Sequence, residues 1–298
     1  LRGEYAIFTP PIDKFCIKIS EWIDNQVPGA YFYGVPRLGK SRAVKFWIER
    51  LLQERYHDAL PFFRWIRRHH QQISENEFWS ELLQAVKNRY WENGKRQQKL
   101  DRLMMQFRTR ADQCNTNCIV LMIDEAQTMG PNEWRWLVNM QNLLDDAGYR
   151  LTIFSIGSHE LTYQHDSFEL GGDAHLTARF MVQSARFEGI RSIPELHYVL
   201  LAYDEDSEWP EASGISYTRY FAEDAFLKGF RLSNYTNEIW EILVELAPHS
   251  TRRRITEFPM QHIARTCEYI LRQAAIGNSV EALTCDDGLR IAVRQTGF

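Results

Sequence analysis

Gly34-Val35-Pro36-Arg37-Leu38-Gly39-Lys40-Ser41 decides the reading of this 298-residue chain. The stretch fits G-x-x-x-x-G-K-[ST], a loop whose backbone N–H groups cradle phosphates. Ahead of it, Ala30-Tyr31-Phe32-Tyr33 is short, apolar and aromatic, as a buried strand should be. Behind it, apolar residues at 43, 44, 47, 48, 51 and 52 keep helical spacing. Glycine lets the backbone wrap a phosphate closely. The unpaired N–H groups and dipole of the helix start attract an anion. Gly34 to Ser41, together with Arg42, therefore form the expected nucleotide-binding set. Lys40 is expected to reach the β- and γ-phosphates, and the Ser41 hydroxyl to ligate Mg²⁺. A glycine turn with a surface lysine is the plain alternative, and the flanking strand and helix argue against it.

The strongest buried strand, Cys118-Ile119-Val120-Leu121-Met122-Ile123, runs into Asp124-Glu125-Ala126-Gln127. An apolar strand ending in Asp-Glu is the Walker-B pattern. Asp124 is expected to hold Mg²⁺ through water, and Glu125 to polarise the attacking water as general base. The 84 residues from Lys40 to Asp124 leave room for an intervening strand and helices. That ordering suggests the additional-strand class of P-loop proteins.

Other segments arrange themselves around these two motifs. Ile12, Phe15, Cys16, Ile19, Trp22 and Ile23 predict an amphipathic helix, which packs near an adenine or simply fills the core. Residues 60–66 read as a strand, and Ser74 with Glu77 as a helix start. Pro131 to Asp146 reads as a helix stopped at Gly148. Arg150 to Ile156 reads as a strand closing on Gly157-Ser158. A γ-phosphate sensor belongs at such a tip, with Ser158 the first choice and Ser155 the second; a hydroxyl that caps the next helix is the alternative. Residues 164–173 read as a polar loop, and Leu176 onward as a last strand running to Phe187. Arg179, just ahead of it, is a candidate arginine finger reaching a neighbour's γ-phosphate, or else a surface residue. Arg186 is a lesser candidate.

From Ile193 the alternation gives way to helices only, at 193–203, 218–230, 234–247, 255–276 and 279–294. The expected fold is α/β, a parallel sheet flanked by helices over 1–190, followed by a small α-helical lid over 191–298. The acidic stretch Asp204 to Glu211 is a solvated loop or a contact for a basic partner. Arg252-Arg253-Arg254 offers a second sensor, a DNA-backbone contact or a solvated face.

Bulk properties exclude several classes. Net charge is −4, so any polyanion surface must be local. Residues 87–110 provide a candidate, with eight Lys or Arg against two acids and Tyr90, Trp91 and Phe107 interleaved. A solvated helix face is the alternative. No apolar run is long enough to span a membrane, and the start is not a signal peptide. The five cysteines are scattered without a zinc pattern, as in a reduced, cytoplasmic protein.

The loop at 34–41, Ile-Asp-Glu-Ala at 123–126, Gly157-Ser158, Arg179-Phe180 and the helical C-terminal part together resemble an AAA+ ATPase of the replication-initiator-like group. More narrowly, the chain is similar to the bacterial transposition regulators TnsC and TniB, relatives of MuB, including those of CRISPR-associated transposons. That resemblance implies ATP and Mg²⁺ as ligands, and ring or filament assembly on double-stranded DNA. It implies a link between a TniQ-like target selector and a TnsB-like transposase, and disassembly on hydrolysis. It also implies backbone contacts to DNA by the basic segment, with Lys87, Arg89, Lys95 and Arg96 nearest. The long partner-binding extensions of that family are not seen. A signalling or secretion ATPase without DNA binding, and a replication initiator or helicase loader, are the alternatives.

Overall fold

In the computed structural model, residues 5–57, 60–70, 72–247 and 257–298 are described. They fall into two compact units. The larger holds Phe15–Val35 and Lys40–Phe187. The smaller holds residues 5–14, Pro36–Gly39 and the described residues from Glu188 to Phe298.

The larger unit is built on five strands, β1 (Gly29–Tyr33), β2 (Phe62–Ile66), β3 (Cys118–Asp124), β4 (Arg150–Gly157) and β5 (Gln183–Arg186). All are parallel, in the order β2-β3-β4-β1-β5. A parallel sheet is covered on both faces, so its central strands read as continuous apolar runs rather than alternating ones. β3 and β4 obey this, with Ile119 to Asp124 and Leu151 to Gly157 buried throughout. On one face the helices Glu75–Ala85, Arg96–Gln113 and Pro131–Asp146 bury Trp79, Leu103, Phe107 and Trp134. On the other, Trp22 of the helix Pro10–Asp24 packs against Phe32 and Phe154.

Several segments differ from the sequence expectation, among them the helices expected at 218–230 and 279–294, which are each broken in two. The helix after the phosphate loop is not uniformly α: Lys40–Arg42 and Glu49–Tyr56 are joined by a π-helical stretch, Ala43–Ile48. Of the polar loop expected at 164–173, residues 164–170 belong to the helix Glu160–Leu170, which buries Leu161 and Phe168, and 171–173 stay outside it. The segment expected to open a strand at Leu176 is the helix Ala174–Phe180. Its buried residues 176, 177 and 180 sit one, three and four apart, a helical spacing. β5 is shorter and largely exposed, held to β1 by backbone pairing rather than by apolar side chains.

In the smaller unit, the helices Ile193–Leu201, Thr236–Leu246, Met260–Ala275 and Asp286–Arg294 share one core. Asp204 is buried there, and its carboxylate accepts from the Thr218 hydroxyl and the N–H groups of Leu232 and Ser233. Arg252, Arg253 and Arg254 lie outside the described residues.

Candidate nucleotide site

The strand order sets the geometry of the site. β4 lies between the strand that feeds the phosphate loop and the strand that ends in Asp124-Glu125. Register places Tyr33 opposite Gly157 and Asp124 opposite Ile156, so three strand tips end side by side. Gly34 continues this alignment, its N–H donating to the Gly157 carbonyl at 3.2 Å.

Arg37 and Gly39 have φ of 71° and 107°, both in the left-handed region. Lys40 folds back over the loop, and its Nζ donates to the carbonyls of Gly34 (2.8 Å) and Val35 (2.7 Å). Burial lowers the Lys40 pKa, against the opposing pull of Glu125 and Asp124. Val35, Pro36 and Arg37 are exposed and Leu38 is buried. Arg42 stacks on Phe46, 5.9 Å from the ring centroid.

Ser41 and Asp124 meet directly: the hydroxyl hydrogen-bonds the carboxylate. Burial raises the Asp124 pKa, partly countered by this bond and by the charge of Arg64. The pair fits a magnesium ion, which takes one or two protein oxygens and completes its shell with phosphate and water. Among the described residues, no group of three or more His, Cys, Asp or Glu is placed to hold a metal.

Glu125 is half-buried with φ of 60°, and its carboxylate accepts from Gln127 Nε2 at 2.6 Å. Ser158 stands at the tip of β4. Its hydroxyl accepts from the Glu160 N–H at 3.3 Å, capping the next helix, and its own N–H donates to Gln127 Oε1 at 3.2 Å. Ser155 lies inside the strand, fully buried, and its hydroxyl has no hydrogen-bond partner among the described residues.

Arg179 sits elsewhere. A methyl group built on Gly29 would overlap the Arg179 carbonyl, so the arginine lies beside the first residue of β1. The phosphate loop begins after the last residue of that strand, five residues and roughly 16 Å away. Arg179 therefore cannot serve the loop of its own chain. Arg186 pairs in register with Tyr33, at the loop end of the sheet.

Within the smaller unit, the middle of the loop has its own partners. Gln261 N–H donates to the Arg37 carbonyl at 3.1 Å, and Met260 lies beside Gly39. Both residues stand in the first turn of the helix Met260–Ala275, whose His262 has its pKa lowered by burial and by Arg37 and Arg265.

The basic segment is only partly a free surface. Lys99 is buried and its ammonium meets the Ser80 hydroxyl. Arg102 is taken up by the carbonyls of Tyr90 and Asn93. Lys87, Arg89, Lys95 and Arg96 are exposed, although Arg96 pairs with Glu75 at 2.9 Å. Sequence spacing missed Arg64 and Arg68, which line a groove of about 690 Å³ together with Lys87 and Arg110. It also missed Gln127. The Gln stands in the sequence only two residues past Glu125, but nothing local says which way its amide points.

The parallel sheet and the loop that follows β1 have the fold of an AAA+ P-loop α/β core. Residues 28–164 match the family model of the AAA domain. In structure, the chain is similar to the Aeropyrum pernix ORC2 protein in its ADPNP-ADP complexes, at a TM-score of 0.59 and 12% identity, over 99% of this chain and 70% of that one. It is also similar to domain III of the Thermotoga maritima replication initiation protein DnaA, at 0.50 and 14%, over 98% and 94%. Drosophila ORC bound to AT-rich DNA and Cdc6 is similar at 0.51 and 11%, over 96% of this chain and 41% of that one. No curated protein matches the chain.

Proposed function

We propose that this protein is a bacterial, cytoplasmic ATPase that regulates transposition by assembling on double-stranded target DNA. ATP with Mg²⁺ is the ligand of the site. A TniQ-like selector and a TnsB-like transposase are the partners it connects. The observation that carries the nucleotide reading is the convergence of Lys40, Ser41, Asp124 and Glu125 at three adjacent strand tips. Lys40 leaves its two carbonyls for the β- and γ-phosphates. Ser41 and Asp124 would hold Mg²⁺, whose chemistry there would be to offset the charge of the phosphates. Glu125 orients a water and takes its proton as the water attacks the γ-phosphorus, the bond to the bridging oxygen breaks and ADP leaves with that electron pair. Ser158 reports the γ-phosphate.

DNA binding rests on the exposed Lys87, Arg89, Lys95 and Arg96 and on the arginine-lined groove beside Lys87. Contacts of this kind go to backbone phosphates and carry little sequence information. The placement of Arg179 far from its own loop suits a finger supplied to a neighbouring subunit. The helical unit, 191–298 by sequence, serves as the lid. One second reading, an initiator or helicase loader, has a specific support: domain III of the replication initiation protein DnaA has a similar fold.

The test is electron microscopy of the protein with a slowly hydrolysed ATP analogue and random-sequence duplex. ATP-dependent filaments are the expected result. Absence of DNA binding at low salt would remove the DNA half of the proposal. Transposase activation in a reconstituted strand-transfer assay separates transposition from initiation. Loading of a helicase without such activation would favour the initiator reading.

A further inference from the structure

Gln127 occupies an unusual position between the expected base and the tip of β4. Its Nε2 donates to Glu125 Oε2 at 2.6 Å, and its Oε1 accepts from the Ser158 N–H at 3.2 Å. Both partners demand the same amide orientation, because a carboxylate only accepts and a main-chain N–H only donates. The backbone beneath is pinned as well: Gln164 Nε2 donates to the carbonyls of Gln127 (3.0 Å) and Met129 (2.8 Å). The space for the amide is created by Gly157, where an added methyl group would collide with Gln127 Oε1 and press on Leu161.

We propose that Gln127 is a positioning residue that holds the Glu125 carboxylate and couples it to the β4 tip, with Gly157 reserved to admit it. The idea rests on the ATPase reading of the site. One carboxylate oxygen is engaged by the amide, which leaves the other for a water. The same amide reads the Ser158 N–H, so a shift at the sensor position reaches the base through one side chain. No other side chain links these two positions among the hydrogen bonds of the described residues.

Four variants test this in steady-state ATP hydrolysis, with analogue binding and thermal melting measured alongside. Glu125→Gln first establishes the site: turnover by the unaltered protein that stalls in this variant supports the ATPase reading. No turnover by the unaltered protein overturns both proposals, and unchanged turnover in Glu125→Gln overturns the role of the base. Gln127→Ala is expected to lower kcat by about tenfold or more while KM and analogue affinity stay within about twofold, the pattern of an interaction felt in the transition state. Gln127→Glu keeps the length and the acceptor for Ser158 but replaces the donor with a second carboxylate, and is expected to lose kcat at least as strongly. Gly157→Ala leaves Gln127 in place chemically but expels it sterically, and is expected to copy the kcat loss. Combining it with Gln127→Ala should add little, as for residues acting as one unit. If Glu125→Gln stalls turnover but Gln127→Ala retains kcat within twofold, or loses KM instead, the positioning role is overturned and the ATPase reading stands.

Discussion

The Lys40 ammonium lies 2.8 Å from the carbonyl oxygen of Gly34, the first residue of its own loop. It is held there by backbone acceptors that a phosphate can outcompete, since a charged acceptor makes a stronger hydrogen bond than a neutral one. Lys40→Ala is expected to weaken nucleotide binding by at least about tenfold, the equivalent of roughly 1.4 kcal/mol. Titration with a fluorescent ATP analogue measures it. Affinity within twofold of the unaltered protein would contradict the role given to Lys40, as would ATP-dependent filaments in that variant.

Arg179 and the phosphate loop stand at opposite ends of β1. If Arg179 serves a neighbour, Arg179→Ala and Lys40→Ala proteins should each be inactive alone and recover turnover when mixed. Recovery would come from mixed pairs with one intact loop facing one intact arginine. An Arg179→Ala protein with full assembly-stimulated turnover would remove the finger from this residue.

The surface cations predict a salt signature. Replacing Lys87, Arg89, Lys95 and Arg96 by alanine should weaken duplex binding similarly on all sequences. It should also flatten the slope of log affinity against log salt by up to about 0.9 for each phosphate that the protein no longer neutralises. Fluorescence anisotropy at several salt concentrations checks this. An unchanged slope would place the DNA surface elsewhere, with Arg64 and Arg68 the next residues to alter.

Arg67 joins three elements. Its N–H donates to the Asp124 carbonyl at 2.9 Å, while its guanidinium binds Glu133, at 2.9 Å from Nε, and Glu81 at 2.7 Å. The side chain is almost wholly buried, so Arg67→Ala leaves the buried Glu133 carboxylate without its cation. The expected cost is about 3–5 kcal/mol. A paired Arg67→Met and Glu133→Leu change should cost less than the single Arg67→Ala, because it removes the unmatched charge with the partner. Denaturant unfolding measures both. Equal losses would show that the ion pair itself, rather than the stranded carboxylate, dominates.

Buried His262 gives the smaller unit a pH dependence of known sign. Burial, reinforced by Arg37 and Arg265, lowers its folded pKa below the ordinary 6.5. The unfolded chain therefore takes up the proton first, and stability present above about pH 6.5 is lost as pH falls. The imidazole also meets the Thr296 hydroxyl, at 3.0 Å from Nδ1. His262→Gln should then destabilise more at pH 7.5 than at pH 5.5, as seen in thermal melts at the two values. A penalty independent of pH would show that the ring is held without regard to its charge.

Features that rest on neighbours along the chain were legible in the residues alone. The loop at 34–41 lies between a strand and a helix, the Asp124-Glu125 strand ends where expected, and the helix Pro131–Asp146 runs between the residues its proline and glycine signals mark. Capping by Ser74 is equally local, and both halves of its box with Glu77 are formed. Other features depended on packing between distant segments. β5 is a strand because β1 offers it backbone partners, not because its own residues are apolar. Residues 160–170 and 174–180 are helical because their buried residues share a face, a pattern easily read as a short strand in the second, which spans only seven residues. Lys99 left the basic surface because helix packing buried it, and Arg102 because the carbonyls of Tyr90 and Asn93 engage it. Gln127 became a partner of Glu125 only because Gly157, thirty residues away in sequence, leaves room for its amide. Spacing along a chain fixes periodicity and caps, whereas which polar atoms meet depends on strand order and on the space that distant residues vacate.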